Sequence, residues 1–129
     1  EAKKPSSPVY ENKIEKHNID FKVCRAPFPA EVIDARLVTI PEGRCNERHK
    51  HAHESIFVIL QGVARVMVGD RFIDLVEGES VFVPRWEIHQ SQNIGEGDLI
   101  IYAITDFYLT GSALIGNYNS TARMNDELN

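Results

Sequence analysis

Short apolar segments separated by turn signals constrain the fold of this 129-residue chain more than any other feature of its sequence. About nine or ten such segments follow one another, with turn residues about every eight to twelve positions. Some alternate apolar and polar residues, as from Ile88 to Asn93, and others are continuous apolar runs, as from Leu99 to Thr105. No stretch shows the 3.6-residue period of an amphipathic helix. The pattern predicts an all-β sandwich or barrel.

The two ends of the chain differ from its centre, and we divide the sequence into three parts. Residues 1–31 begin with a stretch rich in Lys, Ser and Pro, which predicts a flexible arm. The apolar residues from Ile14 to Val23 have no obvious place in a barrel, so we expect them to add a strand to the sheet of a homodimer partner. Residues 32–110 form the barrel, and residues 111–129 form a polar tail without periodicity.

Composition excludes several classes of function. The net charge of −5 provides no basic surface for nucleic acid. No apolar run approaches the roughly eighteen residues of a membrane span. No signal peptide or transit segment is recognisable, and Cys24 and Cys45, which form no C-x-x-C motif, are expected to be free thiols. We therefore expect a cytoplasmic protein that contacts neither nucleic acid nor membrane.

Four of the five histidines fall in two segments. His49, His51 and His53 alternate in the first, and His89 belongs to G-E-S-V-F-V-P-R-W-E-I-H-Q-S-Q-N. Residues two apart on a strand point to the same side of the sheet, so His49 and His51 share one space. If a later strand brings His89 opposite, three neutral nitrogens converge. Such a cluster is a divalent-metal site with open positions for water or substrate.

The two segments resemble the paired signatures of the cupin superfamily. The first signature is G-x5-H-x-H-x3-4-E-x6-G and the second is G-x5-P-x-G-x2-H-x3-N. Eight fixed positions match, namely Gly43, His49, His51, Gly62, Gly78, Pro84, His89 and Asn93. The resemblance covers residues 32–105 and implies a double-stranded β-helix, which is a small jelly-roll barrel.

Two positions depart from the signatures. Ser55 replaces the glutamate of the first, and Trp86 replaces a glycine of the second. Glu54 is one residue away and faces the other side of a regular strand, so it reaches the metal only through a bulge. Two ligand sets therefore stay open, the three histidines alone or the three histidines with Glu54. Three neutral ligands leave the cation its full charge, which favours an anionic substrate.

Three residues are candidates for catalysis. Arg36 lies in an apolar strand in phase with Val38 and Ile40. It either holds an anionic substrate inside the barrel or forms a salt bridge on the outer face. The same argument applies less strongly to Tyr102, because Tyr is common in sheets. Glu54 is the third candidate if a bulge turns it inward.

Other polar residues near the motifs have more than one interpretation. We expect His53 to lie in a turn between the two strands of the first motif. It is either a further metal ligand or a residue at the rim in contact with solvent. Ser91 and Asn93 share a face with His89 and either orient a ligand or, for Asn93, stabilise a turn. Trp86 is expected to form a wall at the entrance.

The resemblance leaves several activities open, because cupins include dioxygenases, isomerases, decarboxylases, lyases, cyclases and non-enzymatic binding proteins. We predict a metal-dependent enzyme with a divalent Fe, Mn, Zn or Ni ion. The favoured activity is that of a dioxygenase acting on a small anionic or enolisable molecule. The alternatives are a redox-neutral cyclase, isomerase or lyase, and a ligand-binding cupin without turnover.

Overall fold

A computed structural model describes residues 2–5, 8–112 and 122–124. Within them the backbone forms antiparallel strands in two sheets. The strands are β1 (Pro8–Ile14), β2 (Ile19–Arg25), β3 (Asp34–Ile40), β4 (Arg48–Lys50), β5 (Ser55–Gln61), β6 (Ala64–Val68), β7 (Arg71–Leu75), β8 (Ser80–Val83), β9 (His89–Asn93), β10 (Leu99–Thr105) and β11 (Ala122–Met124). A 3₁₀ turn, Glu15–His17, follows β1, and one short helix, α1 (Phe107–Ser112), follows β10.

The order of the strands is that of a jelly roll. One sheet has the order β1-β2-β3-β10-β5-β8 and the other has the order β11-β4-β9-β6-β7. Consecutive strands often lie in different sheets, so the chain crosses repeatedly between them. The prediction of an all-β double-stranded β-helix is confirmed.

The core lies between the two sheets. In β10 the buried residues alternate with half-buried ones, as a strand with one inward face requires. The same alternation holds at the start of β5. The buried apolar side chains form one cluster that includes Ile19, Phe21, Ile40, Phe57, Ile59, Val66, Val83, Leu99 and Ile101.

Short turns that contain glycine connect consecutive strands. Gly69 and Asp70 join β6 to β7, and Val68 pairs with Arg71 across this two-residue loop. Gly62 joins β5 to β6 with a φ of 89°. A Cβ atom there would lie 3.2 Å from the carbonyl oxygen of Asp98, so both the backbone angle and the close approach require glycine.

The N-terminal segment pairs within its own chain, whereas we expected the residues from Ile14 to Val23 to add a strand to the sheet of a partner. β1 pairs with β2, and β2 pairs with β3 of the same chain. Ile19 and Phe21 are buried in the core. The segment therefore has a place in the barrel's own sheet, because its alternating apolar residues cover one end of the core. Residues 2–5, by contrast, are exposed.

Most of the predicted polar tail, residues 111–129, lies outside the described residues. Within the described part, β11 pairs with β4 beside the histidine segment. α1 begins directly after β10 and packs the ring of Phe107 against His53. No helix among the described residues is both long and apolar enough to span a membrane.

Candidate metal centre

Three histidines converge between the two sheets. β4 and β9 are antiparallel neighbours, and their register places His49 directly opposite His89. His51 follows two residues after His49 and faces the same space. The ring centroids lie 4.1 Å apart for His49 and His89, and 4.7 Å apart for His51 and His89. One nitrogen from each ring lies within 4.8 Å of the other two, which suits a single metal ion.

Hydrogen bonds to the backbone assign the tautomer of each ring. The Nδ1 atoms of His49, His51 and His89 each lie 2.8 Å from a carbonyl oxygen. These oxygens belong to Glu47, His53 and Glu87, each two residues away. A carbonyl oxygen only accepts, so each Nδ1 must carry the hydrogen and donate it. Each Nε2 then presents a lone pair, and the ring is held in the orientation of a metal ligand.

Burial keeps the rings of His51 and His89 neutral. It lowers the pKa of His51 from 6.5 to about 3, helped by the neighbouring His89, and lowers the pKa of His89 to about 4. The Nε2 atom of His89 is buried and has no hydrogen-bond partner in the described part of the chain. A buried acceptor without a partner is costly and rare, and a metal ion would satisfy it. The donor set therefore fits a divalent metal.

His53 lies outside this triad and is not at a solvated rim as we expected. Only 3% of its surface is exposed. Its ring stacks on that of His51 with centroids 3.6 Å apart and planes 8° apart, while the edge of Phe107 covers it. Burial lowers its pKa to about 2. His53 therefore supports His51 through its ring and through the carbonyl oxygen that accepts the Nδ1 hydrogen of His51.

The position of the missing acid is occupied by Ser55, which is buried and lines the cavity beside the triad. Glu54 does not line this cavity, and its backbone N–H donates to a carboxylate oxygen of Asp106. The strand starts at Ser55 with regular pairing to Val83, so no bulge brings Glu54 inward. The converging nitrogens belong to three histidines, and no carboxylate accompanies them among the described residues.

Of the other two catalytic candidates, Arg36 lines the cavity and Tyr102 does not. Arg36 forms a salt bridge with the buried Asp34, so this salt bridge does not lie on the outer face. Its guanidinium lies 4.7 Å from the ring centroid of Phe107. Tyr102 pairs with Val58 and is not among the cavity-lining residues, because its position in β10 alternates with the inward-facing ones.

Residues of the second motif have structural roles. The Asn93 side chain donates to the carbonyl oxygens of Ile40 and Gly97 and accepts from the N–H of Gly95, so it organises the turn after β9. Trp86 is 47% exposed and has a φ of 62°, the left-handed conformation that explains the glycine of the signature. Ser91 is buried and lines the cavity together with His49 and His51.

The sequence analysis missed Glu47 and Tyr10. Glu47 is 2% exposed and lines the cavity. Its carboxylate accepts hydrogen bonds from the Tyr10 hydroxyl at 2.8 Å and from Asn12 Nδ2 at 3.0 Å. The signal was present, because extending the alternation back from His51 and His49 leads to residue 47. The link to β1 had no such local signal.

The cavity has a volume of about 80 Å³, and His49 and His51 of the triad are among its lining residues. Its lining comprises Tyr10, Phe21, Val23, Arg36, Val38, Asn46, Glu47, His49, His51, His53, Ser55, Phe57, Ser91, Ile101, Ala103 and Thr105. Glu47 is the one carboxyl-bearing residue among these lining residues.

Comparison with known proteins agrees with the sequence motifs. A family model described as "Cupin domain" matches residues 36–105. Salicylate 1,2-dioxygenase from Pseudoaminobacter salicylatoxidans is similar in structure, with a TM-score of 0.73 and 13% identity over 82% of this chain. A cupin 2 conserved barrel domain protein from Rhodopseudomonas palustris has a TM-score of 0.66 and 22% identity over 75% of this chain and 68% of its own.

A third similar structure, the Cnp3 cupin domain of Schizosaccharomyces pombe, has a TM-score of 0.61 and 23% identity over 67% of this chain and 60% of its own. This chain spans about a third of the dioxygenase, 32% of its length. No curated protein matches the sequence. At these sequence identities the similarity shows a shared fold only.

Proposed function

This chain belongs to the cupin family, whose model matches more than half of it, and we propose that it is a metal-dependent dioxygenase of a small anionic or enolisable molecule. The convergence of three neutral histidines without a carboxylate carries this proposal. Three ligands leave open positions on a six-coordinate ion, as in the oxygenases that bind Fe(II) through three protein ligands.

His49, His51 and His89 would hold the ion. A divalent iron would supply redox chemistry with O₂ and attraction for an anion, while Mn, Zn and Ni suit the same nitrogen donors. Because the three ligands are neutral, the site keeps the full charge of the cation. A negatively charged substrate is therefore favoured over a neutral one.

The remaining walls of the cavity support the same substrate class. Phe57, Ile101 and Ala103 are buried apolar residues that exclude water from the reacting group. Arg36 places a cation in the lining, although Asp34 shares its charge. The salicylate 1,2-dioxygenase that shares the fold is named for an aromatic carboxylate, and its structures include adducts with gentisate.

A redox-neutral activity is the second candidate, and Glu47 is the observation that favours it. A carboxylate inside the cavity could transfer protons between positions of a substrate, as isomerisation and elimination require. This chemistry needs the same metal centre with Zn or another ion and does not consume O₂.

The experiment begins with protein purified without an affinity tag, with metal content measured for wild type and for His89→Ala. We expect about one ion per chain in wild type and a loss of at least about tenfold in the variant. O₂ consumption is then followed with pentane-2,4-dione and with salicylate after reconstitution with Fe(II). Absence of metal affinity would overturn the proposal.

The same assays distinguish the dioxygenase from the other proposed activities. Product formation without O₂ would favour the redox-neutral activity over the dioxygenase. Tight binding of either molecule without turnover would identify a ligand-binding cupin instead. We further propose that the protein is a homodimer. We also propose that it is cytoplasmic, because Cys24 and Cys45 are free thiols, which a reducing compartment maintains.

A further inference from the structure

The segment that carries His51 is held by other parts of the chain rather than by a sheet. β4 and β5 lie in different sheets, and residues 51–54 connect them outside both strands. His49 and His89, by contrast, lie opposite each other in paired strands. The position of His51 in the triad therefore depends on the contacts that this connecting segment makes with its surroundings.

The turn between β8 and β9 binds the first half of this segment. The main-chain N–H of Trp86 donates to the carbonyl oxygen of His51 at 2.8 Å. Nη1 of Arg85 donates to the carbonyl oxygen of Ala52 at 2.9 Å. Ala52 is buried, and a buried carbonyl oxygen that loses its donor is costly. Loss of the Arg85 side chain would therefore favour a shift of the segment.

Asp106, which precedes α1, binds the end of the same segment. One of its carboxylate oxygens accepts the main-chain N–H of Glu54 at 3.0 Å. The other forms an ion pair with Nη2 of Arg85. Only 14% of the Asp106 side chain is exposed, so salt screens this pair less than a pair on an open surface. One ion pair thus joins the groups that hold the two ends of residues 51–54.

A shift of this segment would move the ring of His51 and the group that orients it at the same time. The carbonyl oxygen of His53 accepts the Nδ1 hydrogen of His51, and the two rings stack. Phe107, the residue after Asp106, covers the ring of His53. A metal ion tolerates deviations of only about 0.2 Å in the distances to its ligands. A small displacement of residues 51–54 would therefore weaken metal binding.

We propose that Arg85 and Asp106 are positioning residues of the metal centre, because their ion pair holds residues 51–54 in the place that metal binding requires. Neither residue lines the cavity, and both act through His51. A guanidinium has no lone pair for a metal, and the Asp106 oxygens are bonded to Glu54 and Arg85. The inference rests on the proposed metal-dependent function and states how the geometry of its centre is maintained.

The test measures the Kd of the metal-free protein for Zn²⁺ by competition with a chelator. Arg85→Met keeps the length of the side chain but removes both of its hydrogen bonds, so we expect the Kd to rise at least about tenfold. The sign of the change is informative, since loss of a positive charge alone would favour a cation and lower the Kd. Arg65→Met is the matched control, because it breaks an exposed ion pair with Asp74 and should keep the wild-type Kd.

A second variant tests the geometry of the contact. Arg85→Lys keeps the positive charge but replaces the two-pronged guanidinium by one ammonium group, so we expect a Kd between those of wild type and Arg85→Met. This variant decides the matter even if Arg85→Met does not fold. The visible absorption of bound Co²⁺, which reports the arrangement of the ligands, should change in both Arg85 variants and stay constant in Arg65→Met.

Three outcomes would contradict these expectations. An unchanged or lower Kd in the Arg85 variants overturns the positioning role. An equal rise of the Kd in Arg65→Met overturns it as well, since the effect would then follow from the loss of any ion pair. Failure of wild type to bind Zn²⁺ overturns the proposed metal-dependent function itself.

Discussion

At the scale of a single residue, the neutral side chain of Ser55 determines the charge of the metal centre. It is 2% exposed and lines the cavity where the cupin signature has a glutamate. Ser55→Glu would place a carboxylate beside the triad, and a negative oxygen ligand offsets the cation's charge in a low-dielectric cavity. We expect Zn²⁺ to bind at least about tenfold more tightly, or about 1.4 kcal/mol.

This affinity is measured by competition with a chromophoric chelator. Ser55→Gln serves as the control, because it adds similar volume without the charge. Equal affinities of the Glu and Gln variants would contradict the view that charge at this position controls metal binding. O₂ consumption should fall in Ser55→Glu, since the new ligand fills an open position.

The buried histidines make the metal-free protein sensitive to acid. His51, His53 and His89 have pKa values lowered to about 3, 2 and 4 by burial, against 6.5 for exposed imidazoles. Below pH 6.5 the unfolded chain binds protons that the folded protein does not. The free energy of unfolding must therefore decrease as pH falls from about 6.5 toward about 4, by up to about 1.4 kcal/mol per pH unit for each histidine.

Urea denaturation of metal-free protein between pH 7 and pH 4 tests this dependence. His53→Phe is the matched variant, because it keeps a ring stacked on His51 but cannot titrate. Its slope against pH should be shallower than that of wild type. A free energy of unfolding that stays constant from pH 7 to pH 5 would show that these rings are not held neutral.

At the scale of strands, β1 couples the edge of the barrel to the site. Its Tyr10 ring lies 5.6 Å from that of Phe21, and its Tyr10 and Asn12 side chains hold Glu47. Deleting residues 1–14 removes these contacts and exposes the edge of β2. Loss of two hydrogen bonds to a carboxylate, of one aromatic contact and of the pairing with β2 is expected to lower the free energy of unfolding by at least about 3 kcal/mol.

Chemical denaturation at neutral pH measures this loss. A deletion of residues 1–5 is the control, because residues 2–5 are exposed and should contribute nothing measurable. If both truncated proteins unfold at the same urea concentration, β1 is not an integral part of the sheet.

The strands and the triad could be predicted from the sequence because their signals are local. Alternation with a period of two places His49 and His51 on one face, and Gly69 with Asp70 predicts a hairpin within a few residues. The place of β1 could not be predicted in this way. Its pairing with β2 and its hydrogen bonds to Glu47 join residues up to 37 positions apart.

Burial of His53 was missed for a related reason. The residues that cover it are the ring of His51 and Phe107, and Phe107 lies in a helix after the last core strand. A residue in a predicted turn is expected in solvent unless a distant element packs over it. Glu47, in contrast, could be identified from the sequence, because it continues the alternation that places His49 and His51 on one face.

At the scale of the whole molecule, the six-stranded sheet carries an apolar patch on its outer face, over β3, β10, β5 and β8. Antiparallel pairing aligns Ala35, Ile104, Ile56 and Phe82 in one row across four strands, with Leu37, Tyr102 and Val58 in the next. Ile56 is 46% exposed and Phe82 is 51% exposed. Neither row contains a charged residue. Two chains that each carry a net charge of −5 can pack against each other through such rows without burying like charges at the contact.

We therefore expect the homodimer to form through this face rather than through the N-terminal segment. Sedimentation at micromolar concentration should show a species of twice the 14.6 kDa chain mass. Ile56→Glu places a charge on both copies of the interface and should yield monomer, because buried like charges are strongly unfavourable. Phe72→Glu is the matched control, since Phe72 is 66% exposed on β7 of the opposite sheet. A dimer that persists in Ile56→Glu but dissociates in Phe72→Glu would place the interface on the five-stranded sheet instead.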